Sequence, residues 1–512
     1  MLSMPVHGLG LCVGMAALLC VAAMANADPK PLSKEEQAKV DKAIEKAVAY
    51  LKREQTKEGN WPTHWRNRFL VGECALPAYA LLESRVPVDD SVIQRAADFI
   101  RLKVSNTDDT YELSLALLFF DRLGDPKDKA LIQTCALRLI AGQHRTGGWS
   151  YICPRLNESQ EADLLKALKE LSKSMKRKKL LKESINELDV PDSTVIWPQE
   201  LPWPVVESRL DYQNLRRKLR PYPLQRELKS LKSLTVFKYL EKFNWHEQQS
   251  LRGSKQSIPL VGLTDNSNTQ FGLLALWAAQ RHGIPTELTF RLLVDRFERS
   301  QYRNGEWDYS YRHLTEGSND VRRKGRPSMI CVGLLGLAIG QGLKPPTAPG
   351  SSPDGEVDPR ILAGLAALYL TIGNPTGKMD NPVPTQDIYF LWSLERVGML
   401  FNLPTLGNKE WYRWGAEVLV TNQIDAGEFR TGDLLQDTSI GANSVRGYYG
   451  PTLKTAFALL FLNHSHPMKE LTPKLRFTAK ELNEGIARLR PRDSHLDGSN
   501  TSPSHNTTKP DR

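Results

Sequence analysis

The first 27 positions contain no Lys, Arg, Asp or Glu, and cysteine is scarce throughout: six in 512 residues, with Cys12 and Cys20 inside that uncharged stretch. The other four, Cys74, Cys135, Cys153 and Cys331, are too few and too scattered to form a disulfide framework. Beyond the first 27 residues no apolar run is long and uninterrupted enough to cross a bilayer. A Gly-rich phosphate loop and a Ser/His/Asp arrangement are also missing, which removes the usual signatures of nucleotide-binding and serine-nucleophile chemistry. Almost nothing alternates with the period of two expected of a strand. The chain is therefore expected to be all-α.

Uncharged does not mean featureless. Gly8 to Ala25 is continuously apolar or small, and Ala25-Asn26-Ala27 before Asp28 has the small-x-small form of a signal-peptidase site. Residues 1–27 read as a signal peptide, giving a protein exported to a bacterial periplasm or cell envelope with no transmembrane segment after cleavage. Only His7 could supply the positive charge usual ahead of the apolar run, so an uncleaved N-terminal membrane anchor is the alternative. Leu19 is too large beside Cys20 for a lipoprotein signal.

What the mature chain has in abundance is helix hairpins. Thr269 to Ala279 is apolar on nearly every face, as a buried helix is. His282-Gly283-Ile284-Pro285 ends it. The following helix, about Thr286 to Ser300, places Leu288, Leu292, Leu293 and Phe297 on one face and Arg291, Asp295, Arg296 and Glu298 elsewhere, so it is expected to be amphipathic and outer. It runs into Gln301-x-x-x-Gly305-x-Trp307, a pattern that recurs at Gln55 to Trp61, Gln143 to Trp149 and Gln423 to Phe429. A hairpin that cannot bury its apolar face alone must stack on copies of itself. The Gly allows a positive-φ turn, the Gln can bond exposed backbone groups, and the aromatic ring covers the junction. This reads as a structural motif.

The same alternation of buried and amphipathic helices runs from Ser33, where Ser33-Lys34-Glu35-Glu36 forms a capping box, to Pro451–Leu462, the last buried helix. It divides the chain into 28–154, a basic insertion at 155–258, 259–475, and a polar tail at 476–512, disordered for the most part after 491. The insertion holds 21 Lys and Arg against 14 Asp and Glu, densest at Lys173 to Lys182. That run could meet an anionic surface, or could simply be a solvated helix face; export argues against nucleic acid.

Tyr50-Leu51-x-x-x-Gln55-x-x-x-Gly59-x-Trp61 resembles the QW repeat of squalene and oxidosqualene cyclases, relatives in fold of the protein prenyltransferases. Pro327 to Leu337 and Pro451 to Leu462 resemble that family's inner helices. Asp387 to Gly398 and Lys409 to Glu417 are similar to segments of secreted planctomycete prenyltransferase and squalene-oxidase-repeat proteins. The resemblance covers most of 34–475 apart from the insertion. It implies an α/α toroid, with inner helices ringing a central cavity and outer helices around them.

Cyclases of the family protonate substrate with an Asp-x-Asp-Asp acid at the head of an inner helix. Here Asn106-Thr107-Asp108-Asp109 puts Asp108 at the acid position but replaces the first Asp, and the pair could equally cap a helix. The prenyltransferase zinc site has no counterpart: Met329 stands where its Asp would be, near Cys331, and no His matches, so no metal or cofactor is expected. If the toroid holds, polar residues heading inner helices gather at its mouth: Asp108, Asp109, Asp265, Asn266, Asn268, Arg326, Asp387, Arg446, Tyr448 and Tyr449. Tyr111, Phe271, Trp277, Tyr389, Trp392 and Phe457 would line the wall or fill the core, with Tyr309 at the edge. The expected function is binding of an apolar, isoprenoid-like lipid or a glycan in the central cavity, without classical cyclase chemistry. The alternatives are an isoprenoid cyclase or lyase using Asp108 or Asp265, and a cell-envelope scaffold.

Overall fold

Ser33 opens the first helix, α1 (Lys34–Glu54), through a reciprocal capping box with Glu36. The structure, a computed structural model, describes residues 31–62, 69–144, 146–186, 264–302, 304–311, 325–343, 357–377, 379, 384, 386–429, 450–475 and 477–489, with side chains of the 146–186 stretch as far as 173. Residues 1–27, most of the insertion, 344–356 and 491–512 lie outside them. Among the described residues there are helices and isolated bridges but no strands.

After α1 come α2 (Leu70–Glu83), α3 (Ser91–Lys103), α4 (Thr110–Leu123), α5 (Lys129–Gly142), α6 (Glu158–Asn186), α7 (Asn266–Ala279) and α8 (Glu287–Ser300). They are followed by α9 (Pro327–Gly342), α10 (Pro359–Tyr369), α11 (Ile388–Leu400), α12 (Trp411–Thr421), α13 (Pro451–Leu462) and α14 (Ala479–Leu489). The helices apolar all round, α2, α4, α7, α9, α11 and α13, touch in that order, and α13 returns to α2. That is a closed ring of six inner helices. Amphipathic α3, α8 and α10, together with α5, pack outside it, and α1, the first helix, is the outer partner of α13. The toroid thus follows from which faces each helix must bury.

The Gln-x-x-x-Gly-x-aromatic motif makes the joints between outer helices. Each Gln donates from Nε2 to the carbonyl of its own motif's Gly, at 2.9 Å for Gln55 and Gln143, 3.2 Å for Gln301 and 3.0 Å for Gln423. Each donates again to a carbonyl of the next outer helix: Val92 in α3, Thr289 in α8, Arg360 in α10 and, closing the circle, Ala43 in α1. Gly59, Gly147, Gly305 and Gly427 have φ of +91°, +84°, +85° and +99°. A Cβ on any of them would fall 2.0–2.4 Å from a carbonyl oxygen of the same neighbouring helix. Trp61, Trp149 and Trp307 each donate Nε1 to the carbonyl ten residues back, at 2.7–2.9 Å. The motif is a conformational latch, as its residue types suggest.

The α3–α5 joint has no such motif. There Arg101 reaches Asp128 through Nε and Nη2, both at 2.7 Å, and Asp125 and Asp98 at 3.2 and 2.9 Å. Two further departures from the sequence reading stand out. Residues 479–489, expected to belong to a polar tail, form α14, which buries Leu482 and Ile486 and packs on α10. Within the insertion, α6 buries Leu164, Leu168 and Leu171 and packs on α5.

At the ring end where the inner helices finish, Arg396 donates from Nη1 to Glu395 and to the Ser465 carbonyl, and its guanidinium lies 4.7 Å from the Trp392 ring centroid. Burial pushes the Glu395 carboxyl up from 4.5 to about 8, against the pull of Arg396. The folded state therefore keeps a proton that the unfolded chain releases. Its stabilising effect is complete below about pH 4.5 and lost as pH rises through about 8, at about 1.4 kcal/mol per pH unit between the two values. Glu395→Gln is expected to flatten that decline. Urea midpoints of both proteins at pH 5 and pH 9 check it: parallel declines would show that Glu395 is not the titrating group.

Candidate functional site

The other end of the ring, where the inner helices begin, holds the candidate site. Heads of the inner helices meet there because the extended residues leaving the Trp149 and Trp307 motifs run between them. Asp265 N donates to Trp149 O at 3.1 Å, Asn266 N to Tyr309 O at 2.7 Å, Thr110 N to Tyr151 O at 2.8 Å and Tyr311 N to Thr264 O at 3.2 Å. Glu112 of α4 accepts Val71 N and Gly72 N at 2.6 and 3.3 Å, capping α2 from outside its own sequence.

Of the three candidate acids, the structure buries one. Asp108 is 55 % exposed, 3.9 Å from Arg155. Asp109 caps α4, accepting Tyr111 N at 2.8 Å and Glu112 N at 3.3 Å, so that acid is engaged in capping. Asp265 is 5 % exposed. It caps α7 by accepting Asn268 N at Oδ1 and Asn268 Nδ2 at Oδ2, both at 2.7 Å. Burial raises its pKa above the ordinary 3.8, opposed first by those Asn268 bonds and then by the Arg296 charge.

Tyrosines surround this carboxyl. Tyr111, Tyr309 and Tyr389 all have raised pKa values, first from burial, with the Asp265 charge contributing to each. They stay protonated and can donate. The Tyr309 hydroxyl lies 3.4 Å from that of Tyr151, while the Tyr111 and Tyr151 rings meet edge to face at 5.7 Å. Tyr111, Tyr151 and Tyr309 are half-buried, and the Arg326 guanidinium sits 5.4 Å from the Tyr309 ring centroid. Asp387 caps α11 through Tyr389 N and Phe390 N, both at 3.1 Å.

One turn further in, aromatic rings from four inner helices meet across the ring. Tyr111 of α4 meets Phe271 of α7 at 5.1 Å between centroids; Phe271 meets Trp392 of α11 at 5.2 Å; Trp392 meets Phe457 of α13 at 5.2 Å; and Tyr389 touches Phe271, Trp392 and Phe457 at 5.6–6.3 Å. A polar chain ties α7 to α11 beside these rings. Ser267 Oγ donates to Tyr389 at 3.1 Å, Tyr389 OH donates to Gln270 Oε1, and Gln270 Nε2 donates to Ser393 at 3.2 Å. These two helices are separated by α9 in the ring order, so the contacts cross the centre.

The structure brings together Asp265, Asn268, Tyr111, Tyr309, Arg326, Tyr389 and Trp392. Asn266 heads the same helix, but its amide is spent on the Asp308 carbonyl and on Arg296. Trp277 is not at this end: it lies in the last turn of α7 against Phe290, beneath Lys474. Arg446, Tyr448 and Tyr449 lie outside the described residues.

Arg296 corrects the sequence reading most sharply. Expected on the outer face, it is 1 % exposed and turned inward, donating to Asn266 Oδ1 at 2.9 Å and to Thr264 and Thr146 at 2.9 and 3.3 Å. Its guanidinium lies 4.7 Å from the Tyr311 ring centroid, and burial lowers its pKa to about 10. Arg138 does the same one hairpin earlier, bonding the Thr107 and Pro154 carbonyls. Both stand five residues before a motif Gln, a spacing visible in the sequence. Each pins the head of its own hairpin's inner helix.

No protein-family model matches the chain, and no curated protein matches it. Among solved structures it is similar to a variant of the type II terpene cyclase MstE from Scytonema in complex with its substrate geranylgeranyl dihydroxybenzoate, at 12% identity over 86% of this chain and 99% of that chain, with a TM-score of 0.28. A second variant of the same cyclase, with the product merosterolic acid A, matches at 14% identity over 68% of this chain and 84% of that chain, with a TM-score of 0.22. Overlap at that level says nothing about chemistry.

Proposed function

We propose that this chain is a binding protein built on a closed helical ring, whose ligand meets the rim around Asp265 rather than occupying the ring's interior. The carrying observation is the set of aromatic rings from α4, α7, α11 and α13, in contact at 5.1–6.3 Å where a cyclase would hold its substrate. Export through residues 1–27 is part of the same reading, supported by the uncharged apolar run ending in Ala25-Asn26-Ala27.

A second reading, an isoprenoid cyclase or lyase, is favoured by one feature: Asp265 is a buried carboxyl with a raised pKa among tyrosines. Against it, both carboxyl oxygens are engaged by Asn268. Mass spectrometry of the protein purified from its native envelope separates the two. The binding reading expects no isoprenoid retained in the ring and an N-terminus at Asp28. A stoichiometric isoprenoid, turned over by the native protein and not by Asp265→Asn, would overturn it.

A further inference from the structure

Asn268 is completely buried, and its side-chain Oδ1 has no hydrogen-bond partner. Native interiors seldom leave such an acceptor unmatched. The atom is well placed for a ligand. Its own Nδ2 is fixed on Asp265 Oδ2 at 2.7 Å, which sets the amide's orientation and leaves Oδ1 as the free end. On α7, Asp265, Asn268 and Phe271 follow at intervals of three and so share one face, the face on which Phe271 meets Tyr111. Asn268 therefore stands beside the Asp265 carboxyl on the face of α7 that, one turn on, meets Tyr111.

Resting on the rim reading above, we propose that the ligand is a carbohydrate: a pyranose whose C–H face stacks on Tyr111, Tyr151 and Tyr309 and whose hydroxyl donates to Asn268 Oδ1. The rim offers half-buried aromatic faces beside groups that both give and take hydrogen bonds. The Tyr151 and Tyr309 hydroxyls bond each other at 3.4 Å, and the Tyr111 ring meets that of Tyr151 edge to face at 5.7 Å. Arg326 adds a cationic donor above Tyr309. The hydrocarbon chain of an isoprenoid carries no donor for Oδ1 and would bury the phenols without giving any of them a new partner. A sugar hydroxyl gives one bond and takes others, and its ring supplies the apolar face. Asn268 is completely buried, so reaching Oδ1 requires the side chains over it to part, and a ring stacked on the rim should move the tyrosines themselves.

The full-length mature protein labelled with 3-fluorotyrosine gives the test, with the Tyr151 and Tyr309 resonances assigned through Tyr151→Phe and Tyr309→Phe. The probes are neutral tetrasaccharides of glucose and of N-acetylglucosamine, with geranylgeraniol as the apolar comparator. A tetrasaccharide is expected to shift both resonances, with affinity falling about tenfold in Asn268→Leu. Should that variant fail to fold, Tyr151→Phe, which deletes one half-buried hydroxyl, is expected to weaken the same sugar two- to fivefold. Rim shifts with geranylgeraniol and none with either sugar would overturn the carbohydrate assignment and leave the rim reading standing. Geranylgeraniol bound with both rim resonances unmoved, or sugars bound with them unmoved, would overturn the two together, as would no binding of any probe.

Discussion

Alanine at Gly147 is expected to destabilise the fold by roughly 2–5 kcal/mol, whereas alanine at Gly124 should cost only about 1–2 kcal/mol. The two glycines share a positive φ, +84° and +72°, so the backbone penalty for gaining a Cβ is similar. They differ in what that Cβ would meet. At Gly124 nothing lies within 4 Å, while at Gly147 the Leu292 carbonyl oxygen would be 2.0 Å away. A carbonyl in a helix cannot swing aside as a side-chain end can. Relief must come from parting α5's turn from α8, which also strips the second bond from Gln143. Gly305 repeats the setting against Ala363 O at 2.1 Å and should behave alike. Denaturant midpoints of the three variants check this, and equal losses at Gly124 and Gly147 would mean that the joint carries no load.

Arg101→Met should cost about 3 kcal/mol, close to the effect of breaking a motif joint. Methionine keeps the aliphatic bulk but leaves Asp128, 1 % exposed, with a buried charge and no guanidinium. Both of its oxygens are bonded by Arg101 at 2.7 Å. The exposed Asp98 partner is nearly irrelevant, so Asp98→Asn should shift the midpoint by less than about 0.5 kcal/mol. The double variant Arg101→Met with Asp128→Leu is expected to recover much of the loss, because it removes the stranded charge too. Failure to recover would place the effect in packing against Phe120, over whose ring Arg101 lies at 6.0 Å.

The ring was legible in the sequence because its joints are local instructions. A Gly at fixed distance from a Gln specifies a turn wherever it stands, and four copies specify a stack. The inner helices were legible because α7 and α9 are apolar on all sides. Arg296 was not. Helical spacing groups it with Asp295 and Glu298, and only the head of α7, folded back over it, makes it buried. Asp108 and Asp265 look alike as sequence, each just ahead of an apolar helix. What separates them is the extended segments at Trp149 and Ser310 that bridge to Asp265 and cover it. Whether the ring's centre is filled is set by Phe271 and Trp392 meeting from helices that are not neighbours. Periodicity tells which way a residue points, not what reaches it from the far side. Helix α14 was missed although its signals are local: Leu482, Ile486 and Leu489 lie on one helical face, and Thr478 and Glu481 cap each other's backbone N–H at its start.

The seam between α12 and α1 has a consequence for assembly. It joins elements nearly four hundred residues apart: Gln423 bonds Ala43, Gly427 lies against Lys46, and Arg413 reaches Glu36 at 3.3 Å. A motif copy on one side and a helix face on the other are complementary but not identical. Were the seam to part, α1 of one molecule would meet in a second the same groove that it leaves in its own. Mutual exchange would give a closed dimer, and one-way exchange an open filament, since such an interface does not consume itself. Seam-weakening changes such as Gly427→Ala should therefore show themselves at high protein concentration as swapped species, sooner than as loss of helix.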